Sequence, residues 1–401
     1  MKLFDCPGVE VSLPRLAYIG QVPVCNISAG PALLYRLLET YPPDRLLVAE
    51  SAENQPSPAH QLRAVSHLSF PLLRGRLLNS RLNRLYGSWV YFRAARRARP
   101  LLPALRAFGA EAILGIAHGY AWRTAAAAAR SLGVPLHLVV HDHWRECCNV
   151  LPWFDRRAEK DFAATYRAAA SRLTVSPDME ACYRSRYGAA GTVVYPCRAA
   201  SALRLAQPPF RTPTPGAFVF AYAGNAEAVD QRRTLIDFAH AAAPLGVRLR
   251  IYQGLSLDTL RAEGLVTDNV EIAAFRPVNE LYGDLVASVD ALYLPMSFAP
   301  ESRANVELCF PSKLADYTAV GLPILVRAPD YGTATHWARA HPEAAMLVDS
   351  ADPEPLAGAI ARIARDAPCR HALARGALEA GERQFSHAAV FTVFCSCLRR
   401  A

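Results

Sequence analysis

Phe310-Pro311-Ser312-Lys313-Leu314-Ala315-Asp316-Tyr317 holds one of only three lysines in the chain (Lys2, Lys160 and Lys313), against 41 arginines. A sequence that writes nearly every positive charge as Arg keeps Lys where a compact, rotatable ammonium is wanted. The run follows an apolar strand at 291–294 and a loop. It then reads as a helix that stops at Gly321-Leu322-Pro323, before a second apolar strand at 324–326. Pro and Ser at the start and Gly at the end are the expected helix punctuation. The free amides of such a helix start, its positive dipole end and one lysine together make a site for a diphosphate.

Working outward, the same strand-then-helix rhythm fills both halves of the chain. Strand-like apolar runs stand at 15–19, 46–49, 112–116, 136–140, 173–175 and 193–195, with helical stretches at 31–39, 121–131 and 178–187 between them. A second set of strands at 218–222, 248–252, 270–274, 291–294, 324–326 and 346–348 follows, with helices near 232–243, 278–287, 354–365 and 370–382. Alternation of this kind predicts α/β architecture, with parallel sheets covered by helices on both faces. The proline-rich stretch 207–216 divides the two sets as a stiff linker. The expected organisation is two doubly wound, Rossmann-like domains facing a central cleft. The first domain takes 1–206, the second 207–384, and an apolar C-terminal helix at 385–401 packs back across the junction.

Composition limits the function classes. No apolar run approaches the roughly 20 residues of a bilayer span, and the longest candidate, 125–140, is broken by Arg130, Gly133 and Pro135. The first ten residues lack the charged-then-apolar order of a signal peptide. Ten cysteines are scattered without Cys-x-x-Cys spacing, so they read as small hydrophobes of a reducing cytosol rather than as disulfides or a zinc site. The net charge of +9 is concentrated: between Gln61 and Ala110 there are ten arginines and no Asp or Glu, which leaves −1 for the rest. From Arg63 to Arg106 these arginines alternate with Leu, Trp, Tyr and Phe, a pattern suited to an anionic membrane surface. Nucleic-acid motifs do not appear, so nucleic acid is not an expected partner. The expected location is cytoplasmic, peripheral at the inner face of a membrane.

With these features in view, the chain resembles GT-B fold glycosyltransferases, above all glycosyltransferase family 4 and its relatives. The resemblance is best from about 218 to 348. Phe310-Pro-Ser-Lys-Leu-Ala-Asp-Tyr with Gly321-Leu-Pro-Ile is similar to that family's Pro-Ser-Lys-Leu-x-Glu-Tyr-x-Ala-x-Gly-x-Pro pattern. Phe220-Ala-Tyr-Ala-Gly224-Asn225 is similar to its first C-domain strand and glycine turn, where a side chain would obstruct the diphosphate. Val139-Val140-His141-Asp142-His143-Trp144 is similar to the strand-and-loop that faces the cleft from the other domain.

The resemblance implies a nucleotide-sugar donor and a glycan or lipid-linked acceptor, with retention expected. It implies donor contacts from Gly224, Asn225, Pro311, Ser312, Lys313 and Asp316, the last standing where the family has a ribose-binding glutamate. Arg232 or Arg233 is the expected replacement for the family's lysine after the glycine turn. Its usual first glutamate falls on Leu308, so Glu301 or Glu307 is the expected substitute, with Glu307 set beside His141 and Asp142 as catalytic. His118 and the loop residues Ser28 and Gly30 are expected near the acceptor. No cofactor or metal is expected, because helix dipole and lysine can stabilise the leaving diphosphate, and no paired-aspartate motif is present. Two rival readings use the same fold: a nucleotide-sugar 2-epimerase, and an inactive binding subunit, which the Leu308 substitution favours.

Overall fold

The computed structural model of the protein describes residues 13–26, 29–54, 56–72, 77, 80–209, 218–224, 226–252, 256–274, 276 and 278–399. Ser28, Asn225, Arg74, Arg76 and most of the linker lie outside them.

Seven parallel strands form the first sheet: β1 (Leu16–Gly20), β2 (Leu46–Ser51), β3 (Ser66–Phe70), β4 (Ala112–Ile116), β5 (Leu136–Val140), β6 (Ser171–Thr174) and β7 (Thr192–Val193). Their order is β3-β2-β1-β4-β5-β6-β7. β1 is central, with Leu16 in register with Leu46 on one side and Ala112 on the other. The second sheet repeats the plan with β8 (Val219–Ala223), β9 (Arg248–Tyr252), β10 (Val270–Ala273), β11 (Ala291–Pro295), β12 (Ile324–Arg327) and β13 (Met346–Val348), ordered β10-β9-β8-β11-β12-β13. The direction in which successive strands are added to the sheet reverses between β1 and β4 and between β8 and β11, with every strand still parallel. Those two switch points are where such sheets open a crevice beyond their carboxyl ends.

Local sequence explains the packing. The alanine-rich helix Ala121–Leu132 approaches the sheet so closely that a Cβ at Gly115 of β4 would stand 2.9 Å from Ala125 Cβ. Strands β1, β2, β4 and β5 are buried along their whole length, which is why they read as apolar runs, with polar residues only at His137 of β5 and at Glu50 and Ser51 ending β2. Several elements escaped the sequence reading, among them a strand and a helix of the first domain. Edge strand β3 has an exposed end and one fully buried residue, Phe70. Helix Asp155–Ala168 buries only Ala158, Phe162 and Tyr166.

Helix His387–Arg399 returns to the first domain. Val390, Phe394 and Leu398 join a buried cluster with Leu16, Tyr18 and Leu34. None of the described cysteines is in a disulfide. No helix among the described residues is long and apolar enough to cross a membrane.

Deleting a fully buried phenyl ring costs about 3–5 kcal/mol. Phe394→Ala, at a fully buried position, is therefore expected to lower unfolding stability by about that amount in urea titration. A loss below about 1 kcal/mol would mean that this helix is not docked on the first domain.

Candidate active site

The second-domain wall of the cleft is built on the helix Ser312–Val320. Pro311, which lines the cleft, caps it without a side-chain hydrogen bond; its carbonyl accepts from the Leu314 amide at 3.0 Å, which leaves the Ser312 and Lys313 amides without a side-chain cap. The helix is pinned to the end of β8, because the Tyr317 hydroxyl accepts from the Ala223 amide at 2.9 Å. Gly224 follows at once. A Cβ there would collide with Cε and Nζ of Lys313, so the lysine stem crosses the turn where only glycine leaves room. Lys313 Nζ lies 5.3 Å from the centre of the Tyr222 ring. Desolvation pulls its pKa down to about 8, partly opposed by Asp316.

Asp316 is not free for a ribose. Oδ1 accepts from Arg36 Nη1 at 2.8 Å and from the Tyr282 hydroxyl at 2.6 Å. Arg36 belongs to helix Ala29–Leu38 of the first domain and also donates to the Cys197 carbonyl. Asp316 thus ties the domains together, and the expectation of an open ribose acceptor there does not match this arrangement.

Arg232 and Arg233 do not line the cleft either. Arg232 forks onto Glu263 with Nε at 2.7 and 2.9 Å from its oxygens and donates to the carbonyls of Ala226 and Glu227. It braces the loop after β8 from outside, while Arg233 is exposed. Glu307 pairs with Arg303 at 3.5 Å on an exposed helix face, and Glu301 is exposed in the preceding turn. Neither is among the cleft-lining residues. Leu308 is buried at the domain junction, where its carbonyl accepts from Ser176 Oγ at 2.6 Å. The position given to a glutamate in the family pattern is here a packing position. Gly30 sits in the first turn of its helix with open space around it.

The first domain brings three predicted residues together. His141 and Asp142 follow β5, and His118 follows β4 in a turn completed by Gly119, whose φ of +61° is left-handed. Asp142 Oδ2 lies 3.0 Å from His118 Nδ1 and 2.9 Å from His141 Nε2. Burial alone would raise the Asp142 pKa, but the two imidazoles hold it far below the usual carboxylate range. Burial would lower that of His118, but its hydrogen bonds with Cys147 and to the Asp142 carboxylate, which accepts, carry it up to about 10. His118 is therefore an imidazolium at neutral pH and no proton acceptor.

An ionised Asp142 needs N–H donors from both rings, which fixes His141 as the Nε2–H tautomer when neutral. Its Nδ1 is buried with no partner among the described residues, so His141 orients Asp142 instead of meeting substrate. His118, His141 and Asp142 are close enough to share a divalent cation, but their ligand atoms already satisfy one another. His143 turns away and meets the Tyr183 hydroxyl at 3.2 Å. Trp144 then anchors the loop by stacking on Phe162 at 4.3 Å.

Between these walls lies a cleft of about 600 Å³, lined by Asp142, Glu146 and Cys147 from the first domain and by Asp230, Ser297, Asn305 and Pro311 from the second. Asp230 was missed in the sequence. Burial pushes its pKa up, but Ser297, Ser302 (2.5 Å) and the Gln231 amide (2.9 Å) outweigh this and hold it down. Its one signal is an acid in the first turn of the helix after a glycine turn.

Two parallel Rossmann-like sheets meeting at such a cleft define the GT-B fold of glycosyltransferases. No family model matches the sequence, and no curated protein does either. Solved structures do match. HepE from Anabaena, in complex with UDP and glucose, aligns with TM-score 0.68 and 15% identity over 96% of this chain and 99% of that one. Sucrose-phosphate synthase from Thermosynechococcus elongatus gives 0.67 and 14% over 96% and 98%. The lipopolysaccharide outer core galactosyltransferase WaaB gives 0.62 and 14% over 96% and 99%.

An anion drawn to Lys313 would meet its protonated form. Nucleoside diphosphate affinity should be full below pH about 8 and decline above it, by at most about tenfold per pH unit. Calorimetry across pH 7–10 on wild type and Lys313→Gln checks this, and equal slopes would remove the ammonium from the site. Gly224→Ala should displace the flexible lysine end and weaken binding about tenfold or more with little change in melting temperature. Unaltered affinity would show that the Gly224 turn does not set the lysine's position.

Proposed function

We propose that the protein is a nucleotide-sugar glycosyltransferase acting on a hydroxyl of a glycan or lipid-linked acceptor, with retention. The observation that carries this reading is Lys313: a desolvated ammonium at an uncapped helix start whose nearest carboxylate, Asp316, is already held by Arg36 and Tyr282. A partly buried cation with its neighbour already engaged is matched to an anion from outside. HepE, solved with UDP-glucose, supports a nucleotide sugar as that anion's source.

In the reaction, the sugar's C1–O bond to the diphosphate breaks as the acceptor oxygen bonds to C1. The helix amides and Lys313 take up the charge developing on the departing diphosphate. With His118 protonated and Asp142 strongly acidic, neither is matched to remove the acceptor's proton at neutral pH. A departing diphosphate oxygen, on the same face of the sugar as the entering hydroxyl, can accept it instead. Such an exchange confines entry and departure to one face of the sugar, which retains configuration. Asp142 and Asp230 are placed to accept from sugar hydroxyls and orient them. The proposal includes independence from divalent cations.

Lys313→Ala should lower kcat/KM by about 10- to 1,000-fold with the fold intact. Stabilisation by UDP in thermal shift, followed by turnover with UDP-sugars and candidate acceptors in EDTA, tests the reading. Turnover of donor without acceptor would instead mark an epimerase. Full activity in Lys313→Ala would overturn the phosphate role.

A further inference from the structure

The arginine-rich segment of the first domain takes no part in the cleft. Its helix Asn83–Ala94 buries Gly87, Val90, Tyr91 and Ala94 and turns the opposite face to solvent. On that face Leu82, at the helix start, Leu85, Trp89 and Phe92 are spaced three or four residues apart, so they form one stripe, and each is 44–59% exposed. Four large apolar side chains left in water on a single helix face are not incidental. Trp153, 73% exposed and the most exposed aromatic of the described chain, extends this stripe from a remote part of the sequence. Its neighbour Phe154 meets Phe92 edge-on at 4.9 Å.

Arg81, Arg84, Arg93 and Arg96 flank the stripe and are exposed, and Arg93 lies over the Trp89 ring at 5.0 Å. No acid between Gln61 and Ala110 offsets them. Beyond Trp153, Asp155 and Glu159 are already paired with Arg145 and Arg186, which leaves Arg156 and Lys160 to add to the same sign.

We propose that this face docks on an anionic lipid bilayer, with Leu82, Leu85, Trp89, Phe92 and Trp153 seated at the acyl–headgroup boundary and the arginines on lipid phosphates. A second protein would be met by an apolar patch with a mixed polar rim. Here the exposed charges that flank the stripe without an acidic partner are cationic, and two exposed tryptophans, Trp89 and Trp153, stand within the contact, as at a membrane interface.

The patch is also wired to the cleft. Leu151 N donates to Ser88 Oγ at 2.9 Å, and a Cβ at Gly87 would collide with the Asn149 carbonyl. The loop that places Asp142 and Glu146 in the cleft is therefore seated on the docking helix. If the transferase reading holds, which this docking does not require, a lipid-linked acceptor would reach the cleft along that loop.

The test uses the full chain without nucleotide. Wild type should sediment with phosphatidylglycerol-containing vesicles at about 50 mM salt and release as screening rises, while pure phosphatidylcholine should bind poorly. Replacing Arg81, Arg84, Arg93 and Arg96 by Ser should weaken binding by about fivefold per arginine. Lipids brominated in the acyl chain should quench tryptophan emission on binding. In Trp89→Phe/Trp153→Phe that quenching should vanish while sedimentation persists, because Trp122, Trp144 and Trp337 are buried. No sedimentation at low salt, or sedimentation without quenching in wild type, would overturn the proposal. So would a wild-type dimer that Trp89→Ser/Trp153→Ser converts to monomer, since the stripe would then be an interface between copies.

Discussion

Two arginines of the first domain cannot be buried unless the second domain is in place. Arg36 is 8% exposed and is answered by Asp316 and the Cys197 carbonyl. Arg198 is 4% exposed and donates to the Ala315 carbonyl at 3.2 Å and to Thr318 Oγ1 at 3.1 Å. Three of these partners, Asp316, Ala315 and Thr318, lie on one turn of the Ser312–Val320 helix. An unpaired guanidinium in such surroundings is costly enough that the helix and the two arginines are fixed together. The same helix carries Lys313 at its other end. Domain closure and the position of the anion site are thus one constraint, and Asp142 faces Pro311 across the cleft because of it.

That constraint also accounts for the chain's departures from the family pattern it resembles. Asp316 is one carbon shorter than glutamate, and it meets Arg36 across the domain junction and Tyr282 within its own domain. Leu308 lies where the Arg303–Leu308 helix packs on Pro177–Tyr187, and a carboxylate there would have to share the junction with the Ser176–Leu308 hydrogen bond. Phe310 continues the seal, with its ring 4.8 Å from Tyr195 and 5.5 Å from Phe385. The residues that differ from the pattern have been drawn into holding the domains together.

What the sequence made legible follows the same physics. Buried parallel strands bury both faces, so their apolar runs were nearly continuous and their positions were readable to within a residue or two. β3 alternates at a sheet edge within the arginine-rich segment, and its pattern was hidden there. Lys313 and Gly224 were legible because each stands in a motif whose neighbours explain it. The other charged candidates were decided by partners far away in sequence. Arg232 is 31 residues from Glu263, and Asp316 is 280 from Arg36. No local pattern could tell that Arg232 was committed elsewhere, or that Asp230 would be left facing the cleft. The histidine cluster lay between these cases. His141-Asp142 was visible in the sequence, but the roles of its members depend on His118, which arrives from another strand.

Charge is distributed by the fold more sharply than the net value conveys. The cleft carries Asp142, Glu146 and Asp230 on its rim, with Lys313 set deeper beneath the Gly224 turn, while the unopposed arginines lie outside on the Asn83–Ala94 helix. An acidic rim repels polyanions such as nucleic acid or the bilayer surface itself, whereas the Lys313 ammonium beneath the Gly224 turn carries the opposite sign. A cationic outer face does the reverse and attracts an extended anionic surface at long range. Because opposite preferences occupy separate faces, a bilayer could hold the protein without entering its cleft. The segment 141–154 spans from one face to the other, anchored midway by Trp144 on Phe162.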